Sequence, residues 1–363
     1  MRYYIISGEQ SGDMHAANLV ASLKKKDENA DFRAWGGDRL KEEGVTLVKH
    51  IRDLAFMGFW EVIINLPTIL KNISFCKKDI LEFSPGALIL VDYPGFNFRI
   101  AEFAKKQGIK VFYYISPQIW AWKKSRINQV RKNVDRMFVI LPFEKEYYQK
   151  NNFKVDFVGH PLLDEIAKGN FLFSIETEKP IIALLPGSRK QEISKMLPEM
   201  LVVCNDFPDY QFVVATTNSV EEEFYKNIIT NKNILLARNE TYGLLKNAKA
   251  ALVASGTATL ETALLGVPQV ACYKTNFFSY LVARLLVKTK FISLVNIITD
   301  KLAVKELIQN ELNGQNLSAS LSDILDDTNR ERILIDYKEL KVKLGYKGAS
   351  NKVADLIITD IGK

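Results

Sequence analysis

Apolar residues follow two alternating patterns along this chain. Short, nearly continuous runs of β-branched and aromatic residues, such as 2–6 (RYYII), alternate with longer segments of helical spacing, such as 15–26 (HAANLVASLKKK). Near-continuous apolar strands between helices are typical of parallel sheets covered on both faces, so we predict an α/β protein. The first series of strands is 2–6, 31–35, 87–93, 110–116 and 136–141, and the second is 181–189, 211–217, 233–238, 250–257 and 268–273.

A polar stretch without a clear period, residues 166–180, separates the two series. We therefore predict two Rossmann-like, doubly wound domains that face a cleft, the first over residues 1–168 and the second over 169–342. The C-terminal helix, 343–363, is expected to pack back on the first domain or on a partner chain, which leaves a homodimer open. Ligands of such sheets bind beyond the carboxyl ends of the strands, so motifs at those ends are the candidate sites.

The composition fits two folded domains. Of the 363 residues, 47% are hydrophobic and 25% charged, and no apolar run reaches the length of a membrane span. The N-terminus enters a strand within two residues and lacks the features of a signal peptide, which predicts a cytoplasmic protein. Cys76, Cys204 and Cys272 lie far apart in apolar patterns, and we expect three buried, reduced thiols.

The net charge of +7 favours an anionic partner, for which nucleic acid, an acidic membrane surface and a phosphorylated substrate all qualify. No nucleic-acid-binding signature is present, so nucleic acid is not an expected partner. The only histidines, His15, His50 and His160, have no metal-ligand spacing, and we predict no metal site.

Residues 6–17 (ISGEQSGDMHAA) join the first strand to a helix through a glycine-rich turn without the G-x-G-x-x-G spacing of a dinucleotide site. Backbone N–H groups in such a turn attract anions. Here, however, Glu9, Ser11 and Asp13 add oxygen acceptors, which a pyrophosphate would meet unfavourably. The turn therefore requires a different kind of ligand.

The strand of the second domain that begins at 181 ends in Gly187, Ser188 and Arg189 and is followed by a helix. This turn supplies backbone N–H groups, and the arginine supplies a planar cation suited to a phosphate. The alternative is that Arg189 is an ordinary surface cation.

A second loop of the same domain repeats this arrangement. Ser255, Gly256 and Thr257 follow a strand, and Glu261 falls about one turn into the next helix. The amides could face phosphate oxygens, while the carboxylate could accept hydrogen bonds from the two hydroxyls of a ribose. Glu261 could instead be a solvated carboxylate favoured by the helix dipole. Two such motifs in one domain favour a nucleotide-diphosphate site.

Asp92 ends a buried apolar strand of the first domain, where a carboxylate needs a partner or a function. It is the candidate catalytic base, and the alternative is that it caps the following helix. His160, in the sequence VGHPL, is the second candidate for the base.

Together these residues resemble the lipid-A-disaccharide synthase family of inverting glycosyltransferases, which have the GT-B fold. The resemblance extends over about residues 5 to 310. Its motifs are SGEQSGDMHA, FMGFWEV, VDYPGFN, YYISPQIWAWKKSRI, LPFEKEYY, FVGHPL, LLPGSRKQEI, ASGTATLE and SLVNII. The chain departs from the family at Gln10 and at Gly95, where an alanine and an aspartate are commoner.

The resemblance implies transfer of a diacylglucosamine from its UDP conjugate onto the 6-hydroxyl of 2,3-diacylglucosamine 1-phosphate, with release of UDP and without a metal or other cofactor. It assigns the essential aspartate to Asp92, the diphosphate-contacting arginine to Arg189, the ribose-type glutamate to Glu261 and the uridine-side asparagine to Asn296. It also implies peripheral contact with the cytoplasmic face of the inner membrane.

A sugar substrate answers the question raised by the first turn, because sugar hydroxyls need acceptors where a pyrophosphate needs donors. We expect Glu9, Ser11 and Gly12 to line the sugar-binding side of the cleft. Asp92 would then remove the proton from the attacking hydroxyl. Arg189, with the amides around Gly187, Ser188 and Gly256, would stabilise the departing UDP.

A dense apolar segment fits lipid substrates. Residues from 67 onward predict an amphipathic helix whose apolar face is Ile69, Ile73, Cys76, Ile80 and Phe83. The residues before it exceed what one helix face can bury, and we expect a membrane or acyl-chain patch. That patch is Phe59, Trp60, Ile63, Ile64 and Leu66. A second segment, 277–291, combines apolar and basic residues and is either membrane-facing or packed on the sheet.

Three other functions stay open. A nicotinamide-dependent oxidoreductase would need the dinucleotide fingerprint that the first domain lacks. A non-catalytic protein could bind a lipid or a nucleotide sugar with the same motifs. A sugar-nucleotide epimerase would share the fold and the donor loop, but it would turn over a UDP-sugar without any acceptor.

Overall fold

The computed structural model describes residues 1–53, 66–122, 124–169, 171–276, 280 and 289–362. The chain divides into two compact units, one formed by Met1–Asp164 with Leu344–Lys363 and the other by Glu165–Lys343. Each unit is built on one parallel β-sheet with helices in the connections.

The first unit contains a seven-stranded sheet in the order β3-β2-β1-β4-β5-β6-β7, and every neighbouring pair is parallel. Its strands are β1 (Arg2–Ser7), β2 (Asp31–Gly36), β3 (Thr46–His50), β4 (Ala87–Val91), β5 (Lys110–Tyr114), β6 (Arg136–Val139) and β7 (Asp156–Phe157). The helices that follow these strands are α1 (Gln10–Lys24), α2 (Asp38–Glu42), α3 (Leu66–Phe83), α4 (Pro94–Lys106), α5 (Ile119–Trp122), α6 (Ile127–Asn133), α7 (Pro142–Lys150) and α8 (Leu162–Ala167).

The second unit contains a six-stranded parallel sheet in the order β10-β9-β8-β11-β12-β13. Its strands are β8 (Ile181–Leu185), β9 (Gln211–Thr216), β10 (Leu235–Arg238), β11 (Ala248–Ala254), β12 (Gln269–Tyr273) and β13 (Lys305–Ile308). Its helices are α9 (Lys190–Leu201), α10 (Glu222–Lys226), α11 (Thr241–Asn247), α12 (Thr257–Leu264), α13 (Leu294–Thr299), α14 (Gly314–Leu325) and α15 (Asp327–Lys343).

The last helix, α16 (Ala349–Ile361), returns to the first unit and packs against α1. Its buried side chains include Val353 and Ile357. The Lys26 ammonium pairs with the Asp355 carboxylate at 2.6 Å across this contact. The last helix of the chain thus belongs to the first unit, where it covers its first helix.

The strand and helix pattern predicted from the sequence is confirmed for the ten strands that it names. Both sheets also have strands that the apolar pattern misses, namely β3 and β7 in the first and β13 in the second. All three lie at sheet edges, are two to five residues long and include polar residues, so they lack a continuous apolar run.

The amphipathic helix predicted from residue 67 is also confirmed. In α3, Ile73, Cys76 and Ile80 are buried, and Ile69 and Phe83 pack against the same core. All three cysteines of the chain are buried free thiols, as expected from their apolar surroundings.

Candidate functional site

The candidate residues follow strands on either side of the point where the strand order of each sheet reverses. In the first unit that point lies between β1 and β4, and in the second between β8 and β11. Reversal points leave room for a ligand, because the connections on their two sides run to opposite faces of the sheet.

The turn after β1 is shorter than the sequence predicts. Helix α1 begins at Gln10, and Glu9 is its N-cap residue, with the Asp13 N–H donating to the Glu9 carbonyl at 2.9 Å. Ser11 and Gly12 therefore lie in the first helical turn, not in a loop. Ser11 is partly exposed, whereas Gly12 is buried, and a Cβ there would lie 3.4 Å from Cβ of Ser7. Gly12 thus serves close packing of the helix on the strand, which corrects its place in a sugar-lining loop.

Asp13 faces inward, although its sequence position suggested an acceptor in the turn. Its buried carboxylate accepts hydrogen bonds from the N–H groups of Gly37 (2.6 Å), Arg39 (3.0 Å) and Leu40 (3.4 Å). These groups form the first turn of α2, whose own N-cap residue is a glycine. Asp13 therefore caps a neighbouring helix and belongs to the fold.

Asp92 lies at the carboxyl end of β4 in an unusual backbone conformation. Asp92 and Tyr93 have φ angles of +46° and +48°, two consecutive left-handed residues. The turn brings the Tyr93 ring against Gly8, where a Cβ would lie only 2.2 Å from the ring carbon Cγ. Only glycine fits at position 8, and the contact joins the turns after β1 and β4. Strained conformations of this kind are concentrated at functional sites.

The carboxyl group of Asp92 is partly buried and has an unusual affinity for protons. Burial, with a further contribution from the negative charge of Glu9, raises its pKa to about 7, and the Tyr93 N–H opposes this. The Asp92 carbonyl accepts hydrogen bonds from Nδ2 of Asn97 (2.7 Å) and from the Tyr113 hydroxyl (2.5 Å). These contacts fix the backbone that carries the carboxyl group.

The alternative role of Asp92 as a helix cap is not observed. Tyr93 is the N-cap residue of α4, and no side chain caps this helix. The Asp92 carboxyl group is thus not used by the helix that follows it. A carboxyl group with a pKa near 7 is well suited to general base catalysis.

His160, the second candidate for the base, is buried and neutral. Burial, with a smaller contribution from His15, lowers its pKa to about 3. Its Nδ1 accepts a hydrogen bond from the Leu162 N–H at 3.3 Å, and its backbone N–H donates to the Leu344 carbonyl. A histidine with so low a proton affinity is a poor base, and these contacts serve the fold.

In the second unit, the turn after β8 is already occupied by a carboxylate of its own helix. Arg189 is the N-cap residue of α9, and its guanidinium pairs with Glu192 at 2.9 Å. The other oxygen of Glu192 accepts from the Ser188 N–H at 3.1 Å. Gly187 has a φ of +115°, and a Cβ there would lie 2.7 Å from Glu192. Two of the groups predicted to bind phosphate, the Ser188 N–H and the Arg189 guanidinium, therefore bind the carboxylate of Glu192, as they would bind an external anion.

In the turn after β11, one backbone group is hydrogen-bonded within the sheet and another is open to a ligand. The Ser255 N–H donates to the Cys272 carbonyl at 2.8 Å, so this amide, predicted to face a phosphate, is used by the sheet. Gly256 is the N-cap residue of α12, which begins at Thr257. Apart from its two neighbours in the chain, no described atom lies within 4 Å of the position that a Cβ on Gly256 would take, so a ligand can approach the backbone there.

Glu261 is partly buried one turn further along α12. Its Oε1 accepts a hydrogen bond of 2.7 Å from the Tyr242 hydroxyl, and burial raises the pKa of the carboxyl group. The alternative of a solvated surface glutamate is therefore wrong. Tyr242 is a contact that the sequence analysis missed, since it comes from α11, outside the motif.

Asn296 is completely buried, and its side chain is fully used within the unit. Its Nδ2 donates to the Val304 carbonyl (2.7 Å) and to Glu306 (2.8 Å), and its Oδ1 accepts from the Val304 N–H (2.8 Å). Glu306 also accepts from the N–H groups of Ile292 and Ser293. In this structure the Asn296 side chain holds a loop, and its role toward a uridine stays a prediction.

Of the predicted apolar patch, Phe59, Trp60, Ile63 and Ile64 lie outside the described residues, as does most of 277–291. Leu66 is described and is 46% exposed at the start of α3. No helix among the described residues is long and apolar enough to cross a membrane. In the same part of the chain, no group of three or more His, Cys, Asp or Glu side chains could hold a metal ion.

Two α/β units on parallel sheets, with candidate residues beside both reversal points, define a protein of the GT-B class. Solved structures support this fold. The UDP-GlcNAc 2-epimerase of Neisseria meningitidis has a TM-score of 0.68 at 15% identity, covering 99% of this chain and 100% of that one. The glycosyltransferase of kitacinnamycin has a TM-score of 0.67 at 13% identity, covering 99% of both chains.

Within this class, the chain belongs to the lipid-A-disaccharide synthetase family, whose model matches residues 3–359. It is 40% identical to the lipid-A-disaccharide synthase of Syntrophus aciditrophicus, over 99% of this chain and 97% of that protein. It is 37% identical to lipid-A-disaccharide synthase 1 of Legionella pneumophila, with the same coverage. The resemblance found in the sequence motifs is confirmed.

Proposed function

We propose that this chain, a glycosyltransferase of lipid A biosynthesis, joins UDP-2,3-diacylglucosamine to 2,3-diacylglucosamine 1-phosphate through a β-1,6 linkage. The 6-hydroxyl oxygen of the acceptor bonds to the anomeric carbon of the donor as the bond from that carbon to UDP breaks. Attack from the face opposite UDP inverts the anomeric centre. The observation that carries this proposal is the family match over almost the whole chain.

Asp92 is the proposed base that takes the proton of the 6-hydroxyl. Its pKa of about 7 leaves a substantial fraction ionised near neutral pH while making the carboxylate a better base than an ordinary aspartate. The strained turn and the bonds from Asn97 and Tyr113 hold it in one position. Glu9 and Ser11, at the start of α1, are the proposed contacts to sugar hydroxyls, and Gly12 supports them by packing α1 on the sheet.

The donor is proposed to bind the second unit, with its diphosphate at Gly187, Ser188 and Arg189. Glu192 would have to release the Ser188 N–H and share or release Arg189 when the diphosphate arrives. As the bond to UDP breaks, the negative charge on the leaving oxygen grows, and a guanidinium at this position stabilises it. The open backbone at Gly256 and Thr257 is the second proposed phosphate contact.

Glu261 is the proposed acceptor for the ribose hydroxyls. It is already oriented by Tyr242, so a ribose would use the lone pairs of the carboxylate that this hydroxyl leaves available. Asn296 is proposed to act indirectly, by fixing the loop before α13 through Glu306.

The proposed reaction is tested by incubating the purified protein with both substrates and following disaccharide 1-phosphate and UDP together. We expect equal amounts of the two products, and neither in the absence of acceptor. Turnover of the UDP-sugar to an epimer without acceptor would instead make the chain an epimerase. Binding of both substrates without turnover would make it a non-catalytic binding protein.

The start of α3 is proposed to contact the cytoplasmic face of the inner membrane. Leu66 and Leu70 are 46% and 54% exposed and lie one helical turn apart, directly after the apolar segment 59–64. Exposed apolar side chains at a helix start, with a positive net charge, favour an anionic bilayer surface.

Replacing Leu66 and Leu70 together by Ser tests this contact. We expect weaker sedimentation with vesicles of anionic phospholipid and an unchanged melting temperature, because both side chains are already exposed. Val342→Ser is the matched control, since Val342 is an apolar side chain 80% exposed in the second unit. Unchanged vesicle binding of the double variant would contradict a membrane role for this surface.

A further inference from the structure

A cavity of about 290 Å³ opens in the first unit beside the first turns of α4. Two arginines, Arg99 and Arg126, line it together with the polar side chains of Ser125 and Gln129. None of its lining residues is acidic. The volume is near the lower end of the range of small-ligand pockets, and the donors and charges suit an anion.

The cavity and Asp92 share the start of one helix. Asp92 immediately precedes the first turn of α4, which contributes Gly95 to the wall of the cavity. Apart from the adjacent residues and the backbone of α4, no described atom lies within 4 Å of the position that a Cβ on Gly95 would take, so this wall is open. A ligand in the cavity would therefore lie beside Gly95, three positions after the candidate base in the sequence.

A second connection between the cavity and Asp92 runs through aromatic side chains. The Arg126 guanidinium lies 5.6 Å from the centre of the Phe98 ring, and this ring packs 5.7 Å from the ring of Tyr113. The Tyr113 hydroxyl donates to the Asp92 carbonyl at 2.5 Å. Arg126 and the backbone of Asp92 thus both contact this aromatic pair.

The two arginines are also close enough to affect each other. Burial lowers the pKa of Arg126, the charge interaction with Tyr113 opposes this, and the positive charge of Arg99 lowers the pKa further. The Arg99 guanidinium donates to the Gly95 carbonyl at 2.6 Å, which turns it toward the cavity wall. Two neighbouring guanidinium groups repel each other, and a dianion that contacts both would offset this repulsion.

We propose that this cavity binds the phosphate group of the acceptor sugar, with Arg99 and Arg126 as the specificity-determining residues. The inference rests on the proposed function, in which the acceptor carries one phosphate monoester. The phosphate is on the anomeric carbon C1, the 6-hydroxyl is on the hydroxymethyl group carried by C5, and the ring oxygen joins C1 and C5. The short separation of the two groups fits a phosphate in the cavity and a 6-hydroxyl at the neighbouring Asp92. Recognition of the phosphate would orient the acceptor for attack.

The test compares two acceptors, 2,3-diacylglucosamine 1-phosphate and the same sugar without the phosphate, with Arg99→Ala and Arg126→Ala. For the phosphorylated acceptor we expect kcat/KM to fall at least about tenfold in each variant, as charge-assisted hydrogen bonds are lost. For the other acceptor kcat/KM should be unchanged, and so should the KM for the UDP-sugar. Lys132→Ala is the control, because it removes one positive charge from α6, outside the lining of the cavity.

Other outcomes would overturn the inference. An equal loss with both acceptors would give the arginines a structural role, and a higher KM for the UDP-sugar would assign them to the donor. Weaker binding to anionic phospholipid vesicles with unchanged acceptor preference would make the cavity a lipid-headgroup site. Failure of the unmodified protein to form disaccharide from either acceptor would refute the proposed function itself.

Discussion

Two strand-to-helix turns, one in each unit, follow strands beside a reversal point and carry opposite charge. The turn from β4 to α4 holds Asp92 near Glu9, two carboxyl groups whose repulsion helps to raise the pKa of Asp92. The turn from β8 to α9 holds Arg189 and the Ser188 N–H, both bound to the carboxylate of Glu192. The turn after β4 therefore places two carboxyl groups close together. The turn after β8 places two hydrogen-bond donors on one carboxylate.

Under the proposed function, this difference would let one kind of supersecondary unit serve two kinds of ligand. Backbone amides at a helix start favour anions in both units, so the side chains decide the outcome. In the proposed reaction, the carboxyl groups of Glu9 and Asp92 would provide acceptors for hydroxyl groups and one base. Arg189 would provide a cation for phosphate, and Glu192, which pairs with it in this structure, would be displaced by the ligand.

The largest expected effect comes from Asp92→Asn. The substitution preserves the size of the side chain but removes the base, so turnover should fall by roughly two to four orders of magnitude. UDP affinity and the melting temperature should remain near those of the unmodified protein, because no helix depends on the carboxyl group as a cap. Turnover and UDP affinity are measured on the same preparation.

Two results would contradict this assignment. Retained turnover in Asp92→Asn would show that another group takes the proton. Loss of UDP binding would show that Asp92 organises the site without acting as the base. His160 would be a poor replacement, since its pKa of about 3 leaves little affinity for a proton.

A smaller effect is expected from Arg189→Ala in the turn after β8. Loss of a charge-assisted contact to the diphosphate should lower kcat/KM for the UDP-sugar by about ten- to a hundredfold, measured by UDP release. Arg189→Lys should recover only part of this loss, because an ammonium cannot make the two parallel bonds of a guanidinium.

Lys190→Ala is the matched control for Arg189. Lys190 is the next residue along α9, and its ammonium lies over the Phe224 ring at 5.6 Å, while Glu192 pairs with Arg189. Its removal should change kcat/KM much less. Equal losses in both variants would mean that the net charge of this surface, and not Arg189, acts on the donor.

The sequence predicts the strands of the two sheet centres because each is a continuous apolar run, buried on both faces. It misses β13, whose four residues include Lys305 and Glu306, since an edge strand needs no apolar surface on both sides. The sequence also predicts too late an end for the turn after β1, because Ser11 and Gly12 are weak helix formers that α1 nevertheless includes.

The sequence predicts which residues belong to the candidate site better than it predicts what each of them does there. Strand ends indicate Asp92, Arg189 and Glu261 directly. The hydrogen bond from Asn296 to Glu306 and the capping of α2 by Asp13 depend on side chains brought together by the tertiary fold. No local pattern contains that information, and a motif therefore does not distinguish ligand contact from support.

The smallest expected effect, and the sharpest test of the charge difference between the turns, comes from Glu9→Gln. Activity that needs ionised Asp92 should be full well above pH 7 and should fall as the pH drops through about 7, the pKa of this group. Because the negative charge of Glu9 raises that pKa, removing it should move the acid limb of the kcat/KM profile to lower pH. The substitution Asp38→Asn is the control, since Asp38 is an exposed carboxylate paired with Arg52. An unchanged acid limb in Glu9→Gln, or an equal shift in the control, would show that the carboxyl groups of Glu9 and Asp92 do not interact.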